Sequence, residues 1–324
     1  MARTARPEAR GGRRRARIVA LVVAFVVVDV VLVGLALGDR GEGRSQLAGP
    51  STPPSSATPT PTATAVPVAP SPAPVPTRLL ASFDELTAYR VQVADCTSEN
   101  AVLERTDDGG ATWSSSTVVG DAGLSSVLSL VVVDAAHVDM VGLAPGTCAP
   151  TATATYTSGL AFRDYPAILA ASWFRSPTGP ALVRSPATGG VVSVPCSSVI
   201  TLVAVGAAQA DALCSTGDAH RTTDGWATWT LLDTIPGAVS AAASGQDLYV
   251  AATGVPDCEG VSVSRVSAPD DAAPTSTAAV PVGCAVLPGA PVAGEVVISA
   301  DEDALWLWSS EVVQRSTDGG MTWG

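Results

Sequence analysis

The chain has no lysine, and its 18 arginines are unevenly spread: seven lie in the first 17 residues and nine from Arg78 onward. Those nine meet 26 acidic residues over the same stretch, a net charge of −17. A surface that acidic repels phosphate backbones, which argues against nucleic acid as a partner. Histidine is nearly absent, with only His137 and His220, and neither G-x-S-x-G nor H-E-x-x-H occurs. A serine triad therefore has few options, and the zincin pattern is missing. No amphipathic helical stretch longer than about three turns stands out. Only 15% of residues are charged while 47% are apolar, so the chain as a whole is not a disordered polymer.

What is present begins with an arginine cluster, Arg13, Arg14, Arg15 and Arg17, followed by an apolar run over residues 18–37 broken only by Asp29 and Gly34. Twenty residues at about 1.5 Å each span roughly 30 Å, the thickness of a bilayer's hydrocarbon core. A mid-membrane carboxylate costs roughly 2.5–3.5 kcal/mol on insertion scales. The 15 Val, Leu, Ile and Phe residues of the run outweigh it. The expected topology is a cytoplasmic basic tail (1–17), a single transmembrane helix in the lipid bilayer (18–37), and everything after it outside the cell membrane. A cleaved signal peptide ending near Ala36 and Gly38 is the competing reading, and it too exports the remainder. Residues 49–77 then carry ten prolines and ten Ser or Thr. Such a stretch stiffens toward polyproline II, so residues 38–77 read as a disordered stalk that holds a domain spanning 78–324 away from the membrane.

All six cysteines, Cys96, Cys148, Cys196, Cys214, Cys258 and Cys284, lie in the portion expected outside. An even number there suits disulfides. Pairing of sequence neighbours is expected, Cys96 with Cys148, Cys196 with Cys214 and Cys258 with Cys284, since short loops between adjacent strands bring such pairs together. Zinc is the alternative, but no C-x-x-C is present.

From Arg78 the chain reads as all-β. Short Val/Thr/Ser-rich runs at 128–133, 199–205, 248–252 and 296–299 are separated by Gly, Pro and Asp clusters. Three segments share the form R-[ST]-x-D-x-[GW]-x-T-W: Arg105 to Trp113, Arg221 to Trp229 and Arg315 to Trp323. Each makes sense as a hairpin turn. The carboxylates of Asp108, Asp224 and Asp318 and the hydroxyls of Thr106, Thr222 and Ser316 can bond the turn's own amides. Gly110 and Gly320 allow positive φ, and Trp113, Trp229 and Trp323 bury area under the turn. The second copy has Trp226 where glycine is expected, which predicts a distorted turn. A decayed fourth copy runs Arg184-Ser185-Pro186-Ala187-Thr188-Gly189.

These segments resemble the Asp-box, or BNR, repeats of sialidase-like β-propellers. The resemblance implies a propeller whose boxes sit at the periphery and serve folding, so Asp108, Asp224 and Asp318 are not catalytic. Box starts at residues 106, 185, 222 and 316 are 79, 37 and 94 residues apart. At about 40–45 residues per blade the long gaps hold two blades each, giving six, with unmarked blades ending near Thr153 and Val266. Five is the other count the spacing allows. Little chain follows Trp323, so either the last blade takes its fourth strand from residues 79–83 or the sequence is a truncated piece of a longer chain.

Sialidase chemistry, by the same resemblance, needs three arginines on the sugar carboxylate, a Tyr nucleophile with a Glu partner, and an Asp acid/base. Arg78, Arg90, Arg163, Arg175 and Arg265 are free of the repeats, but the early Arg-Ile-Pro motif is missing and Tyr89, Tyr156, Tyr165 and Tyr249 lack a Glu context. Asp301-Glu302-Asp303 and Asp257-Cys258-Glu259 read as solvated turns. Trp306 and Trp308 share one face of a strand, either packed between blades or lining a carbohydrate platform. The expectation is a noncatalytic module without cofactor or metal, binding a protein or glycan at the cell envelope. A cell-surface glycoside hydrolase is the alternative.

Overall fold

The computed structural model describes residues 72–121, 123–267, 278–302 and 304–324. The expected membrane helix at 18–37 and most of the stalk lie outside the described residues. Among the described residues no helix is long and apolar enough to cross a membrane.

Six antiparallel sheets make a six-bladed propeller. Blade one holds β1 (Arg78–Ser82), β2 (Ala88–Gln92), β3 (Val102–Thr106) and β4 (Ser114–Thr117); blade two holds β5 (Ser126–Val132), β6 (Val138–Leu143), β7 (Pro150–Thr155) and β8 (Arg163–Asp164). Blade three has a short helix α1 (Pro166–Ala171) and only three strands, β9 (Phe174–Arg175), β10 (Leu182–Ser185) and β11 (Gly190–Ser193). Blade four comprises β12 (Val199–Ala204), β13 (Ala210–Cys214), β14 (Asp218–Thr222) and β15 (Thr230–Thr234). Blade five comprises β16 (Ala238–Ser244), β17 (Asp247–Thr253), β18 (Gly260–Val266) and β19 (Val280–Val286), and blade six β20 (Val296–Asp301), β21 (Ala304–Ser309) and β22 (Val312–Ser316).

Alternation along the strands gives each blade two faces, one for each neighbour. On β21, Leu305 and Leu307 pack against Val261, Val263 and Ala285 of blade five, while Trp306 and Trp308 face the other way. Apolar clusters of this kind fill the one–two, two–three, three–four, four–five and five–six seams. The six–one seam is built differently. Arg90 stacks between Trp113, 4.0 Å away, and Trp308, 4.7 Å away, and Arg78 covers Trp308 at 4.5 Å. Glu104 holds Arg90 at 2.7 Å and Glu295 holds Arg78 at 3.1 Å. Cation–π stacking between desolvated arginines and tryptophans thus does the work of an aliphatic core. Both Trp306 and Trp308 are buried, which rules out the platform reading.

The expected closure of the last blade by residues 79–83 is not what forms. β1 pairs with β2 as the innermost strand of blade one. Beside β22 only Gly324 takes a fourth-strand place, exchanging two backbone bonds with Arg315 at 2.8 and 2.9 Å. Blades one and six meet by packing because β1 already has a partner on its own sheet.

Disulfides join Cys96 to Cys148, Cys196 to Cys214 and Cys258 to Cys284. The first ties the β2–β3 loop of blade one to the β6–β7 loop of blade two, and the third stays within blade five. Residues 72–77 run across one face. Ala73 N–H donates to the Ser215 carbonyl at 2.8 Å and Thr77 N–H to that of Gly294 at 2.8 Å, and Ala73 packs on the seams either side of blade five.

Candidate functional site

The repeated turns join the third and fourth strands of blades one and four and follow β22 in blade six. In blade one, Thr106 Oγ1 accepts from Gly110 N–H at 2.9 Å and donates to Asp108 at 2.8 Å. Asp108 accepts from the amide and hydroxyl of Thr112 at 2.9 and 2.6 Å, and Trp113 Nε1 donates to the Gly110 carbonyl at 3.2 Å. Blade six repeats every bond with Ser316, Asp318, Gly320, Thr322 and Trp323. The Thr112 and Thr322 hydroxyls, then their amides, pull the Asp108 and Asp318 carboxyls down to about 2. Asp224 is lowered too, chiefly by the amide and hydroxyl of Thr228. These aspartates are spent on their own turns, so they offer no free acid or base.

Blade four shows the predicted distortion. Trp226 is held at φ 132°, in the region Gly110 and Gly320 occupy at 88° and 98°. Its amide turns to Asp224 at 3.3 Å instead of to Thr222, and the indole N–H of Trp229 is buried without a partner among the described residues. The decayed copy in blade three is reused: Ser185 Oγ donates to the Gly225 carbonyl of the next turn at 2.6 Å.

Blade two carries a turn that the sequence reading missed, over residues 155–162. Thr155 Oγ1 accepts from Gly159 N–H at 2.9 Å, and Thr157 Oγ1, where Asp108 stands in blade one, accepts from Ala161 N–H at 2.9 Å. Its signal is a hydroxyl, a glycine four residues later and the aromatic Phe162 three beyond, 49 residues after the first copy.

The inner edges of the blades enclose a central cavity of about 320 Å³, lined by β1, β5, β12, β16, β20 and, in blade three, Trp173 and Arg175. In the four-stranded blades with a repeat the turn joins strands three and four. By that register β9, β10 and β11 are strands two to four of blade three, and the chain that would form its innermost strand is folded as α1 instead. Arg175, on β9, lines the cavity there.

Asp301 aside, Arg175 is the charge lining the cavity that no ion pair among the described residues neutralises. Burial pushes its guanidinium pKa down. Its one hydrogen bond is a long 3.5 Å contact to the Val199 carbonyl, and no carboxylate pairs with it among the described residues. Arg78 also lines the cavity but is held by Glu295 and the Ser310 carbonyl. Asp301, across the ring in blade six, has its carboxyl pushed up by burial and by the charges of Glu302 and Asp84.

The other candidates are dispersed. Arg90 is locked in the seam, Arg163 ends up on β8, and Arg265 lies 3.8 Å from Asp247. Tyr89 is fully buried with its hydroxyl on the Ala135 carbonyl at 2.7 Å. Tyr156 stacks on His137 at 3.9 Å, outside the cavity. Among the described residues no tyrosine lines the cavity with Arg78 and Arg175, so no sialidase clamp and nucleophile converge there. Asp257 and Glu302 sit in tight turns at φ 64° and 48°.

No protein-family model matches the chain, and no curated protein matches it significantly. Solved structures with similar folds include YCF48 bound to D1 peptide, at 18% identity and TM-score 0.29 over 79% of this chain and 67% of that one. The SapL1 lectin in complex with alpha methyl fucoside gives 10% and 0.44 over 78% and 95%. The Hadza microbial sialidase Hz136 gives 12% and 0.35, over 76% of this chain and 57% of that one.

Proposed function

We propose that the chain is an exported, membrane-held propeller of the Asp-box type that binds a protein or glycan at the cell envelope without transforming it. Arg175 carries the reading. A partly buried guanidinium that faces a cavity and is paired with no carboxylate, Asp301 on the same lining included, is a binding group waiting for an anion. The strongly acidic surface limits that anion to a single carboxylate on an otherwise uncharged body, since a polyanion would be repelled before reaching the cavity. A volume of about 320 Å³ suits one sugar acid or a short peptide end. The apolar run at 18–37 and the proline-rich linker support presentation outside the membrane, and the three disulfides fit an oxidising compartment.

The test is calorimetric titration of the full-length chain with an N-acetylated alanyl dipeptide, a methyl glucuronide, and the neutral amide of each. Binding of either acid but not its amide is expected, weakened about tenfold or more in Arg175→Gln, which removes a charge-assisted bond. Equal binding of acid and amide overturns the reading, as does turnover in a fluorogenic glycoside screen.

A further inference from the structure

The β13–β14 hairpin of blade four gathers a donor set that the binding role does not use. Ligand atoms of Cys214, Asp218 and His220 lie within 4.8 Å of one another. Register explains it: Leu213 pairs with Ala219 and Ala212 with His220, so Cys214, Asp218 and His220 share one face of the hairpin. Cys196 is outside that group but is held next to it by its bond to Cys214. His220 is nine-tenths buried, and its Nδ1 has no hydrogen-bond partner among the described residues. Asp218 is already aimed, with one oxygen accepting from Thr216 at 2.7 Å and the other from Thr234 at 2.6 Å. Such outer partners are what orient a metal-binding carboxylate.

We propose that the Cys196–Cys214 disulfide masks a tetrahedral zinc site made of Cys196, Cys214, Asp218 and His220, opened by thiol reduction. Two equivalents of a thiol supply two electrons and two protons: the S–S bond breaks, Cys196 and Cys214 become thiols, and the reductant leaves as its own disulfide. Zinc then displaces both thiol protons to solvent and binds two thiolates, a neutral imidazole nitrogen and one carboxylate oxygen, a soft–borderline set suited to it. While the disulfide stands, both sulfurs are covalently occupied and only two donors remain. The hairpin also receives the linker, since Ser215 accepts from Ala73, so metal and linker share one support.

Cobalt(II) is the probe, added to the full-length chain before and after reduction by a phosphine, which transfers the electrons without binding as a thiolate. Before reduction no tetrahedral cobalt spectrum is expected. Afterwards the visible d–d bands and thiolate-to-cobalt absorption should rise to one equivalent and be bleached by zinc. His220→Gln should weaken cobalt binding at least about 100-fold, more than outer-shell changes do. Serine at Cys196 and Cys214 should abolish the signal, whereas serine at Cys96, Cys148, Cys258 and Cys284 should leave it. Should the serine variants fail to fold, His220→Gln decides alone, because it leaves every disulfide in place. The same affinity in His220→Gln, cobalt binding without reduction, or no binding by the reduced folded chain overturns the proposal.

Discussion

The turns of blades one and four are made from nearly the same nine residues, yet the indole N–H of Trp113 finds a partner and that of Trp229 does not. In blade one a glycine at φ 88° lets its amide reach Thr106 and its carbonyl reach the indole of Trp113. In blade four a tryptophan stands at φ 132°, its amide turns from Thr222 to Asp224 and the Trp229 indole is left without a partner, while Asp224 keeps both Thr222 and Thr228. The motif is therefore two devices joined at one residue. The aspartate half tolerates a side chain at the glycine position, and the indole half does not.

Exchanging that residue should produce the largest effect. Gly110→Trp should cost about 3 kcal/mol, because positive φ and overpacking act together. A Cβ at Gly110 would already stand 3.3 Å from Trp306 and 3.4 Å from Val313. Urea unfolding of the full-length chain measures it, and an unchanged midpoint would break the comparison. The reverse change, Trp226→Gly, should add about 1 kcal/mol by relieving strain. A loss of stability there would mean that the exposed Trp226 ring earns its place by a contact.

Smaller effects sharpen the division. Trp113→Phe and Trp323→Phe should each cost about 1 kcal/mol more than Trp229→Phe, since only the first two give up an indole hydrogen bond. Equal costs would show that the indole bond adds nothing. The aspartate half should respond to acid alike in blades one and six. With Asp108 and Asp318 held at about 2 against an ordinary 3.8, their contribution is complete above about pH 4 and lost as pH falls toward 2. Asp108→Asn should flatten the acid limb of thermal stability in that window. A limb as steep as that of the unsubstituted chain would assign acid sensitivity elsewhere.

Much of the architecture was legible where chemistry repeats at a fixed spacing. Asp108, Asp224 and Asp318 marked their turns, and neighbouring cysteines proved to be partners. The turn at residues 155–162 escaped because a hydroxyl replaces the carboxylate and Phe162 the tryptophan, so the bonds persist while the letters change. Blade three was illegible for another reason. Its innermost segment became α1, and a two-residue β9 leaves no alternation to read, yet that gap is what gives Arg175 its place. Closure by residues 79–83 did not form because β1 pairs with β2 on its own sheet, and the arginine and tryptophan packing of the six–one seam has no periodic signature to read.

That closing seam carries a consequence for how the ring assembles. Ser82 bonds Ser299, and Arg78 bonds Glu295, across 217 residues of chain, whereas every other seam joins consecutive blades. Contacts so distant in sequence bear the greatest loop-closure entropy and are rewarded only after the intervening blades exist. The Arg–Trp stack is therefore expected to be among the last contacts made in folding and among the first to open, a latch on the closed circle of the propeller.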